Sequence, residues 1–356
     1  MKDLFDTAGI TTTYGSSIFA EHVPETSAEV VRRLEAAGYV NVGKANLHEF
    51  AYGVTSMNPH YGWVPNPRAP GRIAGGSSGG SAAALALGLA DAALGTDTGG
   101  SIRIPAAFCG VVGFKPTFGL VPLDGCFPLA PSYDHAGPMA RDVETCVAML
   151  EVLADDFEPT TVDAAELKVA LAWTEDATPG VRARVEEAAA RFGSVERLDF
   201  PRAQEHLGVF QREVGDVHRE LFAEHAEEYG EDVAWKLRHL CLPLTDAELE
   251  QARRVRASYR DEADELLDGY DLLLTPTQAF VAPTYEEVLG DDNAVRVGVT
   301  RFTNPFNALG WPALALPCGS AEHGLPASLQ IVGRTGDDAL VLAAGASLER
   351  GRPIEG

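Results

Sequence analysis

Apolar residues recur at helical spacing soon after the start of the chain. The four residues TSAE at 26–29 have the form of a capping box, and Val30, Val31 and Leu34 follow on one helical face. Gly38 is a helix-ending residue, because glycine readily adopts the left-handed conformation that closes a helix. The pattern predicts a helix that begins at the capping box and ends before Gly38.

Similar patterns predict the other main elements. Helices are predicted over residues 81–89, 143–153 and 246–267, the last with Thr245 and Glu248 as its capping box. Short apolar runs predict strands over residues 39–42, 92–94, 168–173 and 271–274. The charged stretch 179–268 is expected to be mainly helical. Strands that alternate with helices indicate an α/β layered fold.

The bulk composition indicates a globular protein with an acidic surface. The chain has 356 residues, 46% of them hydrophobic, and a formal net charge of −24. Such a charge repels phosphate backbones, so we expect no direct binding to nucleic acid. Two explanations of the acidity stay open: adaptation to high internal salt, and composition drift in a GC-rich genome.

The chain is expected to be cytoplasmic and to make no contact with a membrane. The longest candidate apolar run, residues 82–90, is too short to span a bilayer, and the first residues have no apolar core of a signal peptide. The five cysteines are scattered, and none forms a CxxC pair. They are therefore expected to be free thiols.

Two glycine-rich segments contain the candidate chemistry. Residues 75–81 read GGSSGGS, and residues 95–105 read GTDTGGSIRIP. A serine hydroxyl becomes a useful nucleophile when a base takes its proton, and a neutral lysine can do so through a second serine. Ser77, Ser101 and Lys2 are the candidates. No Gly-Lys-Ser/Thr follows the glycines, so a phosphate-binding loop is excluded.

From the residues alone, other interpretations of this triad stay open. Ser101 could cap a glycine turn, since serine caps are common. Lys2 lies beside the first residue of the chain, where a side chain is normally solvated and charged.

The two segments resemble the core of the amidase signature family. The similarity covers GGSSGGSAAALALG and GTDTGGSIRIPAAFCGVVGFKPTFGLVP, and later PLAPSYDHAGPMARDVE, DLLLTPTQAFVAPT and GWPALALPCGS. The resemblance implies one large α/β/α layered domain over residues 1–356 with a mixed central sheet. Its core motifs would lie in 1–150 and 270–350. The helical stretch 179–268 would form a cap near the substrate entrance.

The resemblance also implies a role for each candidate residue. Ser101 would be the nucleophile, Ser77, after a cis peptide bond, would relay its proton, and Lys2 would be the base. The backbone N–H groups that would form the oxyanion hole belong to Thr98, Gly99, Gly100 and Ser101. The supporting residues would be Ser78 and Thr96 as hydrogen-bond partners, and Asp97 and Arg103 mainly as scaffold, with Arg103 able to approach a substrate carbonyl.

Three further expectations concern the start of the chain and two other segments. Members of the family usually carry a helical segment before the lysine, which this sequence lacks. We expect an upstream start codon, and the alternative is a truncated product with a poorly held lysine. His135 is expected to be structural, and residues 207–210 are expected to pack in the core rather than line a pocket.

The function implied by the resemblance is hydrolysis of a carboxylic amide to an acid and ammonia or an amine, with no metal or organic cofactor. One alternative is the glutaminase (A) subunit of a tRNA-dependent amidotransferase, which has a partner subunit, although Ile104 stands where that subfamily prefers glutamine. The other alternative is a non-catalytic scaffold, which an exposed Lys2 would favour. The partner is expected to be a small amide, and a homodimer is the default assembly.

Overall fold

A mixed sheet of eight strands forms the centre of the protein in a computed structural model that describes residues 1–202 and 206–350. Two short strands form a separate hairpin: β1 (Met57–Asn58) and β2 (Gly62–Trp63). The strands of the large sheet are β3 (Ala92–Thr96), β4 (Val112–Lys115), β5 (Ala136–Ala140), β6 (Lys168–Leu171), β7 (Ser194–Arg197), β8 (Leu272–Pro276), β9 (Ala313–Ser320) and β10 (Pro326–Val332). Their order is β3-β5-β4-β9-β10-β8-β6-β7. Strand β6 runs parallel to β7 and β8, and the other neighbours are antiparallel.

Helices connect the strands. They are α1 (Glu29–Ala36), α2 (Gly79–Ala86), α3 (Arg103–Cys109), α4 (Val143–Leu153), α5 (Pro179–Ala189), α6 (Leu207–His225), α7 (Glu231–Lys236), α8 (Asp246–Leu266), α9 (Tyr285–Gly290), α10 (Asp292–Thr300), α11 (Asn304–Leu309) and α12 (Asp338–Arg350). A π-helical turn, Leu237–Cys241, continues α7, and five short 3₁₀ turns lie elsewhere in the described residues.

The helices cover both faces of the sheet. Side chains alternate between the two faces along a strand, so neighbouring residues of β9 pack in different cores. Leu314 and Leu316 of β9 belong to a core shared with α1, α4, α5 and α12. Ala313, between β4 and β10, points to the opposite core, which is built with α6, α7, α8 and α11. Ala315 packs in a smaller core with α2 and α3. The expected α/β/α layering around a mixed sheet is confirmed.

Most predicted elements are present, and two details are wrong. Residues 39–42 form no strand, and Val40 and Val42 are largely exposed. The predicted capping box of α1 does not form: the N-cap is Ala28, whose N–H donates to the carbonyl of Asp6. The N-terminus of α1 is held by backbone from elsewhere in the fold, so Thr26 has no capping role.

The stretch 179–268 is mainly helical, as predicted, but it also contains the edge strand β7. The predicted domain end at residue 356 lies outside the described residues. Within the described residues, no helix combines the length and apolarity needed to cross a membrane. All five cysteines are free thiols, as predicted.

The capping box of α8 gives a prediction about stability. The Thr245 hydroxyl accepts a hydrogen bond from the Glu248 N–H, and the Thr245 N–H donates to the Glu248 carboxylate at 2.8 Å. Thr245→Ala is expected to lower the free energy of unfolding by about 1 kcal/mol, measured by urea denaturation.

Thr26→Ala is the matched control for the capping prediction, because Thr26 is exposed and makes no capping bond. It is expected to leave the urea midpoint unchanged. Equal losses in both variants would contradict the assignment of the two helix N-termini.

Candidate active site

Ser77 lies in the glycine-rich turn that leads into α2. The peptide bond between Gly76 and Ser77 is cis, as the resemblance implied. Gly80 is needed here because a Cβ at that position would lie 2.3 Å from the backbone oxygen of Asn46. The turn is therefore pressed against the backbone of residue 46, and Ser77 is completely buried.

Ser101 lies in the second glycine loop, between β3 and α3. The Ser78 N–H donates to the Ser101 carbonyl at 3.2 Å, which joins the two glycine loops through their backbones. Ser78 also bridges to β3, because its hydroxyl donates to the carbonyl of Thr96 and accepts from the Thr96 N–H. Ser101 is only 6% exposed.

Lys2 reaches the first of these loops from the start of the chain. Its Nζ lies 2.7 Å from Ser77 Oγ and 2.6 Å from Thr96 Oγ1, and the side chain has no solvent exposure. The structure thus brings Lys2, Ser77 and Thr96 together, as predicted. The observation that would have favoured a non-catalytic scaffold, an exposed lysine, is not found.

Backbone hydrogen bonds hold Lys2 in this position. The Lys2 N–H donates to the carbonyl of Leu94 at 3.1 Å, and the Asp3 N–H donates to that of Ala45 at 3.0 Å. The Ala45 N–H in turn donates to the Met1 carbonyl at 2.7 Å. The expectation, from position alone, that the Lys2 side chain would be solvated is therefore wrong.

Burial changes the ionisation of Lys2. It lowers the pKa of Lys2 from 10.5 to about 7, against the opposing effect of nearby acidic groups that include Asp97 and Asp134. A low-dielectric environment penalises the charged form of an amine. A substantial fraction of Lys2 is therefore neutral near pH 7.

Asp97 and Arg103 form the scaffold beneath Ser101. Both are completely buried, and an Asp97 oxygen lies 2.8 Å from Arg103 Nη2. Burial alone would raise the pKa of Asp97, but the Arg103 guanidinium holds it below its usual range. Arg103 also donates to Asn307 at 2.7 Å and to Gln330 at 2.8 Å. Its nitrogens are thus used inside the scaffold, so the expected approach to a substrate carbonyl has no support.

The backbone of the Ser101 loop presents N–H groups, but the N–H of Gly100 already has an acceptor. The Gly100 N–H donates to Asp97 Oδ1 at 2.8 Å. The N–H groups of Thr98, Gly99 and Ser101 have no acceptor among the residues that the structure describes. Gly100 has a φ of +126°, and a Cβ there would meet Thr303, so the loop needs glycine at this position.

Asp134 is a buried carboxylate that the sequence analysis did not identify. It accepts the Thr98 hydroxyl at 2.6 Å and the Leu129 N–H at 2.9 Å. It therefore fixes the side chain of Thr98, one residue before the two glycines of the loop. His135, which was expected to be structural, is buried, and its Nδ1 contacts the carbonyl of Tyr133 at 2.6 Å.

Ser101 lines a cavity of about 100 Å³ beside α6. Helix α6 contributes Leu207 and Phe210 to its wall, whereas Val209 packs in the core. The expectation that all of residues 207–210 would pack in the core is therefore wrong for the first and last of them. Positions three apart lie on the same side of a helix, and here that side faces the cavity.

The cavity wall also contains cationic residues that the sequence analysis missed. Lys236 at the end of α7 and Arg296 of α10 both line it. Both belong to charged helical segments in which lysines and arginines are common on solvated faces, so the sequence carried no signal for this position.

Comparison with known proteins identifies the family. A family model described as Amidase matches residues 1–193 and 194–342. The (A) subunit of the glutamyl-tRNA(Gln) amidotransferase of Haloarcula marismortui is 35% identical over 398 aligned residues, which cover 98% of this chain and 93% of that protein. AtzE of Pseudomonas sp. strain ADP, which belongs to a 1-carboxybiuret hydrolase, is 34% identical, with 98% and 82% covered.

A solved structure gives the same result. A crystal structure of an amidase superposes with a TM-score of 0.86 at 37% identity, covering 98% of this chain and 83% of that one. The matches extend across the two glycine loops, the sheet and the stretch 179–268. This chain belongs to the amidase signature family.

Proposed function

We propose that this protein hydrolyses a carboxylic amide through an acyl-enzyme on Ser101. The observation that carries the proposal is the buried contact between Lys2 Nζ and Ser77 Oγ at 2.7 Å, in a turn bonded to the Ser101 backbone. A lysine that is neutral near pH 7 can act as a base, and Ser77 connects it to the second glycine loop.

In the proposed acylation, Ser101 Oγ attacks the amide carbonyl carbon. Its proton passes to Ser77, and the Ser77 proton passes to Lys2 Nζ. The C–N bond then breaks, and the proton returns from Lys2 through Ser77 to the leaving nitrogen. Water attacks the acyl-enzyme by the same route, which releases the acid and restores Ser101.

The oxyanion that forms during each attack needs hydrogen-bond donors. We assign this role to the N–H groups of Thr98, Gly99 and Ser101, which have no acceptor among the described residues. Gly100 is omitted because its N–H is donated to Asp97. Donors of this kind typically contribute about a hundred- to thousand-fold to the rate.

The second candidate is the glutaminase (A) subunit of an amidotransferase. The observation in its favour is the 35% identity, over nearly the whole chain, to the corresponding polypeptide of a glutamyl-tRNA(Gln) amidotransferase. Ammonia release from glutamine alone, together with a stably co-purifying partner protein, would establish this candidate over a general amidase.

Removal of the proposed nucleophile tests the chemistry. Ser101→Ala and Ser77→Ala are each expected to lower ammonia release from the best amide of an aliphatic, aromatic and glutamine panel by roughly 10⁴-fold or more, because each breaks the proton path. The measurement is a coupled ammonia assay with a matched urea-denaturation check.

Ser81→Ala is the control for these two variants, since Ser81 lies in α2, shortly after Ser77, and its hydroxyl donates to the carbonyl of Leu94. It is expected to retain activity within about tenfold, the loss of one ordinary hydrogen bond. Full activity of Ser101→Ala would exclude the proposed mechanism.

The ionisation of Lys2 predicts a pH dependence. Lys2 is a base only when neutral, and its pKa is lowered to about 7. The kcat/KM is therefore expected to be low in acid, to rise tenfold per pH unit, and to level off above about pH 7. Lys2→Arg is expected to be inactive at every pH, because a guanidinium stays protonated. A flat profile across this range would show that another group is the base.

A further inference from the structure

A second cavity, which Ser101 does not line, has a charge opposite to that of the protein. Its volume is about 680 Å³, and the second half of β9 lines it. The charged residues among its described lining are three arginines and one glutamate: Arg68, Arg184, Arg191 and Glu187. The chain as a whole carries 52 acidic and 28 basic residues. Positive groups in a cleft of an acidic protein attract anions locally. We call this space the arginine cavity.

Helix α3 separates the arginine cavity from the catalytic loop. The helix begins at Arg103, two residues after Ser101, and ends at Cys109. Gly110, which follows the helix, lines the arginine cavity. A ligand there would therefore not occupy the space of an amide at Ser101.

The backbone of the arginine cavity places two of the three cations. Arg184 packs on the bare backbone of Gly319, where a Cβ would lie 3.0 Å from its Cδ. The Arg68 Nε donates to the carbonyl of Cys109 at 3.2 Å. Both side chains are thus held at the wall by contacts with the chain beneath them.

The positive charge of the arginine cavity is only partly neutralised. Arg184 pairs with Glu187 at 2.7 Å, within α5. Arg68 and Arg191 form no ion pair within the part of the chain that the structure describes, and Arg191 is half-buried. Two positive charges therefore remain in excess. Guanidinium groups bind phosphate and carboxylate oxygens in pairs of parallel hydrogen bonds.

The rest of the lining suits the carbon skeleton of an organic ligand. Apolar side chains contribute much of it: Ala188, Leu316, Pro317, Pro326 and Leu348. Pockets for small organic molecules have volumes of about 300–1,000 Å³, and the arginine cavity falls within that range. A bare inorganic ion would leave the apolar lining in contact with water.

We propose that the arginine cavity binds a small organic phosphate monoester, whose dianionic phosphate is bound by Arg191 together with Arg68. The two excess positive charges match a dianion better than the single charge of a carboxylate or a sulfate ester. The carbon skeleton of the ester lies on the apolar lining. Binding includes no covalent step, and the site is independent of the amide hydrolysis proposed above.

Phenyl phosphate and phenyl sulfate test the charge of the ligand, because they have nearly the same shape. A phosphate monoester loses its second proton near pH 6, so it is a dianion at about pH 8, whereas the sulfate ester has a single charge. Isothermal titration calorimetry at that pH is expected to show phenyl phosphate binding about ten- to hundred-fold more tightly, the effect of a further hydrogen bond to a charged group.

Arg191→Gln tests the unpaired cation. It is expected to weaken phenyl phosphate binding about tenfold or more and to remove the preference over phenyl sulfate. Glu187→Gln, which removes the carboxylate from the cavity, is expected to strengthen binding. Arg254→Gln is the matched control, because Arg254 is an exposed arginine of α8 that pairs with Glu250 at 3.3 Å, and its loss changes the net charge equally. Urea midpoints check that each variant is folded.

The other outcomes overturn the proposal in distinguishable ways. Equal affinity for the two esters, or binding of neither, would overturn the dianion, and equal affinity for inorganic phosphate and phenyl phosphate would overturn the ester. Equal losses in Arg254→Gln and Arg191→Gln would show attraction by net charge alone. Loss in Arg296→Gln but not in Arg191→Gln would place the phosphate in the cavity at Ser101. None of these results depends on ammonia release, so the proposed function stands or fails separately.

Discussion

The buried ion pair between Asp97 and Arg103 is the constraint on which the site depends. An isolated charge in a protein interior is strongly unfavourable, so each partner fixes the other. Asp97 then accepts the N–H groups of Gly100 and Ile102, and Arg103 donates to Asn307 and to the carbonyl of Thr303. The loop that carries Ser101 is therefore bonded to α11 and to the segment before it.

The position of Lys2 shows a different constraint. Burying an amine costs free energy, and its side-chain partners at hydrogen-bond distance among the residues that the structure describes are two hydroxyls, those of Ser77 and Thr96. A carboxylate partner would stabilise the charged form and raise the pKa. Burial lowers the pKa of Lys2 to about 7, and no carboxylate among the described contacts of its Nζ reverses that effect, so a proton can be both accepted and returned near neutral pH.

The sequence predicted most of the helices and strands well because the signals that define them are local. The helix Val143–Leu153 was predicted to the residue, and the capping box of Thr245 and Glu248 forms as expected. The errors occur where contacts between residues far apart in the sequence determine the local structure. Residues 39–42 have an apolar pattern but pair with no strand in the part of the chain that the structure describes, and the start of α1 is bonded to the backbone of residues 6 and 124.

The wall of the cavity at Ser101 was beyond sequence analysis for the same reason. Lys236 and Arg296 lie in separate helices, and only the fold brings both to the cavity. The fold also joins this wall to the catalytic loop: His48 holds Asp232 through its ring, while its backbone N–H donates to the Ser77 carbonyl at 3.2 Å. Asp232 accepts a hydrogen bond from Lys236 Nζ at 2.6 Å, so one residue connects the partner of Lys236 to the turn that carries Ser77.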